Sequence, residues 1–482
     1  MDEADLRIIK GKIIGGVVAL TSRTFILQLI TLVSTFILGI ILSSAEFGIY
    51  WVVLAVISFL SYFSDIGLAA ALIQIKNEPS EEELATAFTV QQILAISIFT
   101  FMFMLSSWIS TYYQIGSSGL YLLRALIISF LIASFKTIPS VLLERKLEFK
   151  LLIIPQILET GVFYLVAIIL AVLGMGVVSF AWAAIARGVV GLIAIYVVSP
   201  WQVRIGISKD ALKHLLSFGT PFQINSILAL VKDDLMIIFL GKMLPFSEIG
   251  YIGWAKKWAE VHLRLIMDSV IRVTFPAYSR LQADKNVLAK ALEKSLFFLS
   301  FFIFPSSVLL VMVIEPMIYI VPRYLKWEPA LLSFYFFTFS SLLAAFSSPM
   351  VNALNALGKI RITLVLMIMW TSLTWLLIPA FVKLIGYNGV AVAAAIISFT
   401  GVIPVMIMRK YVFFRVWTSI YKPLTASIIM AFIGYLIMTV TNSIYGTVIS
   451  LITAASIYGL LVRVWMKNEL APYLPAFIRS RW

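Results

Sequence analysis

Residues 294–320 read KSLFFLSFFIFPSSVLLVMVIEPMIYI. Lys294 opens the run and Glu315 is its one acidic group. The run is longer than the roughly 20 residues a helix needs to cross a hydrocarbon core of about 30 Å. Its apolar residues do not alternate with polar ones, so it is not a barrel strand, and lipid admits only helices or closed barrels. The stretch therefore predicts a membrane-crossing helix. The rest of the chain has the same character: 61% of the 482 residues are hydrophobic and 12% are charged, against about 45–50% and about 25% in ordinary globular chains. In water such a chain could not cover its own surface with polar groups, which excludes a soluble enzyme. The abundance of apolar surface also excludes a disordered chain.

Working outward from that run, the apolar periodicity predicts about fourteen helices, at roughly 15–42, 49–74, 84–110, 118–143, 151–174, 177–199, 217–243, 249–277, 294–320, 328–354, 361–384, 388–408, 423–441 and 445–466. The first run is too long for a signal peptide and lacks a cleavage site. Charge sets the orientation. The net charge is +14. With the N-terminus inside, the outer segments hold only Lys242, Arg323, Lys326 and Lys383, and most other cations outside the spans fall on the inner side. Positive inner loops place both termini in the cytoplasm of a multi-pass protein of the cytoplasmic (inner) membrane. The excess charge is thus a topology signal, and no nucleic acid is expected as a partner.

The expected outer loops are about ten residues or shorter, leaving no domain outside the membrane to carry catalysis. An enzyme is not expected. Cysteine is absent and histidine occurs only at His214 and His262, so neither a metal site nor a cofactor is expected. No phosphate-binding G-x-x-x-x-G-K-[ST] loop is present, so this chain itself does not use ATP. H+ or Na+ is the candidate coupling ion.

A short pattern repeats. Glu46-Phe47-Gly48-Ile49-Tyr50 follows the first span, and Glu248-Ile249-Gly250-Tyr251 follows the seventh. Six spans separate the copies, so both have the same orientation. This predicts two parallel six-helix lobes around a central cavity, with two extra C-terminal helices. The expected division is 1–199 for the N-terminal lobe, 200–216 for a cytoplasmic linker and 217–410 for the C-terminal lobe. Residues 411–466 hold the two additional helices and 467–482 a cytoplasmic tail. Prolines within the spans fit helices that bend around a cavity, or simply the frequency of proline in membrane helices.

A charge at mid-bilayer costs roughly 2.5–3.5 kcal/mol on insertion scales, so in-span charges face a protein interior or a watery cavity. The eighth span is the outlier. Lys256, Glu260, Arg264, Asp268 and Arg272 are spaced four apart and alternate in sign, with Lys257 as an extra cation. On a helix they form one slowly drifting stripe. As a functional site the stripe is a cationic wall that receives an anionic group, Arg suiting phosphate through its forked donors. As plain structure it is a ladder that neutralises itself. Arg23 and Arg187 are two further candidate substrate-binding cations. The competing reading pairs each with Asp65 or Glu159. Arg124 and Lys136 lie near span ends, where they can snorkel. Asp65, Asp233 and Asp234 join Glu260 and Asp268 as candidate coupling or gating carboxylates. Asp233 or Asp234 is expected to meet Lys256 or Lys257, and a static ion pair competes with the coupling role. His214 is expected at the inner interface, and His262 as a cavity spectator.

The stretches Ser43–Tyr50, Phe63-Ser64-Asp65-Ile66-Gly67-Leu68 and Ala71-Leu72-Ile73-Gln74 resemble the first two helices of bacterial polysaccharide flippases. These belong to the multidrug/oligosaccharidyl-lipid/polysaccharide exporter superfamily. The loop Leu143–Lys150 is similar to the loop after that family's fourth helix. Ser217-Phe218-Gly219, Gly250-Tyr251 and Phe275–Arg280 match landmarks of its second half. The resemblance implies a transporter that flips polyprenyl-diphosphate-linked oligosaccharide (an O-antigen, capsule or exopolysaccharide unit) by alternating access. It also implies a lipid-linked substrate, the bilayer, and a glycan polymerase and glycosyltransferases as candidate partners. Arg23 falls where such flippases often carry an Arg. The dense charge of the eighth span departs from the general pattern. A cation-coupled multidrug extruder of the same fold is the alternative, but acids should then outnumber cations in the spans. A membrane glycan polymerase or ligase would need a larger outer loop.

Overall fold

The computed structural model describes residues 3–75, 77–441 and 444–471. Side chains are described for all of these except 3–21, 218, 220–226, 268, 269, 272, 273, 441 and 444. The described residues are mostly helical, with no strand among them. Among the described residues twelve helices are long and apolar enough to cross a membrane, so the chain is a multi-pass, all-α membrane protein. The other two expected spans, 217–243 and 249–277, are also helical, but among the described residues neither meets the same measure of length and hydropathy.

The chain divides into two compact units, Met1–Gly253 and Trp254–Trp482. The first contains α1 (Glu3–Ile41), α2 (Ser44–Ser61), α3 (Leu68–Gln74), α4 (Glu81–Tyr113), α5 (Gly116–Ser134) and α6 (Thr137–Arg145). It continues with α7 (Phe149–Val172), α8 (Val178–Val198), α9 (Lys209–Lys232), α10 (Asp234–Met243) and the start of α11 (Phe246–Leu281). The second holds the rest of α11, then α12 (Lys285–Ile320), α13 (Leu331–Ala356), α14 (Ile360–Ile385), α15 (Asn388–Phe399) and α16 (Val402–Tyr411). It ends with α17 (Val416–Thr441), α18 (Ile444–Trp465) and the short α19 (Lys467–Leu470). The end of the expected tail, 472–482, lies outside the described residues.

Helix starts follow local chemistry. Ser43 caps α2, its Oγ accepting the Glu46 N–H at 3.3 Å while Glu46 accepts the Ser43 N–H at 2.7 Å. Ser80 and Glu83 repeat this reciprocal cap on α4. Each satisfies backbone donors that the first helical turn leaves open.

Four expected spans are broken. The one at 49–74 stops after Ser64 and resumes at Leu68, because Ile66 and Gly67 adopt positive φ of 48° and 78°. The one at 118–143 breaks at Phe135–Lys136. Here Pro139 has no N–H to offer the carbonyl four residues earlier. That carbonyl, of Phe135, accepts the Tyr196 hydroxyl at 3.3 Å instead. The span at 388–408 breaks at Thr400–Gly401, four residues ahead of Pro404 in the same way. The span at 217–243 breaks at Asp233, whose φ and ψ are −97° and −62°.

The second unit has an aromatic centre. Trp254 stacks on Trp327 with centroids 5.4 Å apart, and its Nε1 donates to the Tyr324 hydroxyl at 3.1 Å. All three side chains are fully buried. The two added helices, α17 and α18, place Ala426, Met430, Ala454 and Tyr458 against Phe297 and Met312 of α12.

Candidate functional site

The landmark glycines mark backbone contacts inside the first unit. A Cβ at Gly48 would lie 1.8 Å from the Phe246 carbonyl oxygen, and a Cβ at Gly250 would lie 1.9 Å from that of Ser44. The two copies of the repeated Glu-x-Gly pattern therefore pack on each other reciprocally, each glycine admitting the other's backbone. Gly67 and Gly219 form a second such pair: a Cβ at Gly67 would meet the Gly219 oxygen at 2.2 Å, and one at Gly219 the Gly67 oxygen at 2.8 Å. Arg145, from the loop that carries the resemblance at Leu143–Lys150, donates to the carbonyls of Leu72, Ile75 and Asn77 and so closes the C-terminal end of α3. A cation there also complements the partial negative charge of a helix C-terminus.

Three elements of the first unit converge on Glu159. Lys136 comes from the α5–α6 break, Glu159 from α7 and Arg187 from α8. The Lys136 Nζ lies 2.6 Å from Glu159 Oε1, and the Arg187 Nε 3.6 Å from Oε2. Glu159 is buried, whereas 53% of the Arg187 side chain is accessible. Gly191 makes room for the carboxylate, since a Cβ there would sit 2.1 Å from Oε1. The Arg187 guanidinium lies 6.0 Å from the Phe163 ring centroid. Behind it Tyr50 stacks on Phe180 at 4.2 Å. The expectation that Lys136 snorkels is corrected: its side chain is 17% accessible and is tied to Glu159. Arg187 does meet Glu159, the partner named for it in the structural alternative. Arg23, half-buried on α1, lies within electrostatic range of Glu144 at the end of α6. Burial pushes the Glu144 carboxyl up, and the Arg23 charge pulls it down.

Asp65 stands at the break before α3, where Oδ1 accepts the Ala69 N–H at 3.2 Å and its carbonyl accepts that of Leu68 at 2.9 Å. It therefore acts as the N-terminal support of α3. Asp233 ends α9 and begins α10, with Lys232 Nζ 3.2 Å from its Oδ1. Asp234 follows in the first turn of α10. His214 is exposed at the start of α9 and contacts Glu83 at 3.1 Å.

In the second unit, α11 is one continuous helix to Leu281. Its inner face buries Trp254, Ala255, Trp258, Ala259 and His262. The charged stripe runs beside that face: Lys256, Lys257 and Glu260 are half-buried and Arg264 is exposed. The Glu260–Arg264 rung is closed at 2.8 Å. Among the described residues Lys256 has no carboxylate within ion-pair distance. Asp268 and Arg272 lie on the same helix, but their side chains fall outside the described residues. His262 Nε2 contacts Ser307 Oγ at 2.7 Å, and the same hydroxyl lies 2.7 Å from the Ile303 carbonyl oxygen. It is a packed core residue. No group of three His, Cys, Asp or Glu among the described residues could hold a metal ion.

Lys136 and Glu159 are the residues that sequence reasoning undervalued. The signal available was Pro139, which places the break and turns Lys136 inward.

These features define a multi-pass membrane protein that accumulates cationic groups at accessible positions along its helices. The chain belongs to the polysaccharide biosynthesis protein family, which matches residues 37–330. It is 24% identical over 282 residues to the succinoglycan biosynthesis transport protein ExoT of Rhizobium meliloti (strain 1021), covering 58% of this chain and 56% of that one. It is 24% identical over 259 residues to the teichuronic acid biosynthesis protein TuaB of Bacillus subtilis (strain 168), covering 53% of each. The chain thus spans about half the length of these relatives. The structure matches that of the lipid II flippase MurJ in an inward closed conformation, with a TM-score of 0.78 and 16% identity over 94% of this chain and 99% of that one. At that identity the likeness shows a shared fold. Family and fold agree with the resemblance carried by the landmark residues.

Proposed function

We propose that this protein is a flippase for polyprenyl-diphosphate-linked oligosaccharide, moving an O-antigen, capsule or exopolysaccharide unit across the cytoplasmic membrane. The observation that carries the reading is the pairing of family membership with accessible in-span cations, Arg187 and Arg264 above all. A diphosphate carries its charge into the membrane only where such cations replace water. A cation extruder of the same fold would need accessible carboxylates in excess. Here Glu159 is buried beneath two cations and Glu260 is paired.

In this reading lobes 1–199 and 217–410 alternate between inward and outward access, both termini are cytoplasmic, and no chemical step is catalysed. Arg23, Arg187, Lys256, Lys257, Arg264 and Arg272 engage the diphosphate or acidic sugars. Asp65, Asp233, Asp234, Glu260 and Asp268 are the candidates for coupling to H+ or Na+, or for gating. A polymerase and glycosyltransferases supply and consume the lipid-linked unit. The test is deletion of the gene in its own host. Loss of surface glycan with lipid-linked units accumulating inside, both reversed by the intact gene, is the expected result. Unchanged glycan in the deletion strain contradicts the reading.

A further inference from the structure

The Lys136–Glu159–Arg187 cluster has a division of labour that its geometry displays. Glu159 uses one oxygen for each cation, but unequally: 2.6 Å to Lys136 and 3.6 Å to Arg187. The tight partner is 17% accessible and the loose one 53%. Arg187 turns its Nε edge toward the carboxylate. Among the described residues its two terminal nitrogens donate to nothing, although a guanidinium has five donors in a rigid fork. Arg187 stands nine residues into α8, about 14 Å from its start by helical rise, so the accessible edge lies near the middle of that helix. The Phe163 ring flanks the guanidinium, its centroid 6.0 Å away. The cluster holds two cations and one anion, and its surplus charge is concentrated on the accessible edge of Arg187.

Resting on the flippase reading, we propose that this cluster is a preformed diphosphate receptor in which Lys136 and Glu159 are positioning residues for Arg187. Glu159 anchors the guanidinium by Nε and aims its terminal nitrogens outward. Lys136 takes up most of the carboxylate's charge, so Glu159 does not compete with an incoming phosphoryl oxygen. Pro139 and Gly191 serve the same end. The first breaks the helix that presents Lys136, and the second leaves space for the carboxylate. A buried carboxylate with Arg187 as its sole partner would close on it and leave no receptor.

The test is diphosphate binding to the full-length protein in nanodiscs of zwitterionic lipid. Farnesyl diphosphate and inorganic pyrophosphate are titrated separately. Wild-type protein is expected to bind both, and Arg187→Ala to bind each about tenfold or more weakly, the scale of a lost charge-assisted hydrogen bond. Lys136→Met frees Glu159 to capture Arg187 and should weaken binding several-fold. Glu159→Gln keeps an acceptor oxygen to hold the Arg187 Nε while removing the competing negative charge, and should bind at least as tightly as wild type, a result that misfolding cannot produce. The double variant Lys136→Met/Glu159→Gln should recover the affinity that Lys136→Met loses. A merely structural ion pair would leave the double variant no better than the single one, and that result overturns the proposal. So does unchanged binding in Arg187→Ala. Wild-type protein that binds neither probe overturns it too, while glycan export in the deletion strain decides the flippase reading separately.

Discussion

Gly48 and Gly250 each occupy a position where a single methyl group would overlap a backbone oxygen. Backbone yields far less readily than the end of a side chain, so Gly48→Ala and Gly250→Ala should each destabilise the protein by about 1–3 kcal/mol, the usual cost of overpacking. The check is the thermal midpoint of the detergent-solubilised protein. Gly459→Ala on α18, where a Cβ meets nothing within 4 Å, should leave the midpoint unchanged or raise it slightly, since alanine favours the helix. At this scale the sequence was partly legible. The recurrence of Glu-x-Gly was visible, but its reason was not, because one string of letters does not show that two glycines far apart in the chain face each other's carbonyls. Glu159 was visible only as a possible partner. Its place between Lys136 and Arg187 depends on three helices, one of them broken.

Among the elements, α11 carries the account furthest. Its stripe is spaced so that each rung falls within reach of the next, and the rung between Glu260 and Arg264 is closed. An exposed rung of this kind stabilises by only about 0.3–0.5 kcal/mol. That rung therefore contributes little to folding, and the role proposed for the stripe is toward an anionic ligand. If so, Lys256→Glu should reduce glycan export much more than Lys256→Gln, with both proteins present in the membrane at wild-type levels. Equal effects would support a ladder that serves structure alone. Element boundaries were the less legible part of the fold. Pro139 and Pro404 signalled the breaks they cause, yet Pro155, Pro305, Pro349 and Pro379 sit inside continuous helices. Proline alone does not separate the two cases. The break at Asp233 has neither glycine nor proline at that residue, so local sequence offered no sign of it. Asp65 read as an in-span carboxylate because span 49–74 read as unbroken. With the helix interrupted, its side chain has a backbone N–H to accept.

For the whole molecule, the fold class was legible because the bilayer imposes it: long apolar runs leave helices as the solution. Energy coupling was not legible, since several carboxylates lie in or beside spans and their partners are set by packing. If a carboxylate carries a coupling proton, collapsing the proton gradient should slow transport. Asp233→Asn and Asp234→Asn should then differ from wild type in that response if either is the carrier. Transport that stays gradient-dependent in both excludes the pair. Charge removal at Arg23 and at Arg264 should abolish surface glycan while insertion into the membrane stays intact, judged from glycan staining and membrane protein level.

The central claim, that the protein moves a lipid-linked diphosphate sugar between leaflets, is tested most directly in proteoliposomes. The purified protein is reconstituted with a fluorescent short-chain polyprenyl-diphosphate oligosaccharide, and the label exposed outside is followed by a membrane-impermeant quencher. The account predicts movement between leaflets well above that of protein-free vesicles, with Arg187→Ala reduced by about tenfold or more. Label that stays in its starting leaflet in vesicles holding folded protein would contradict it.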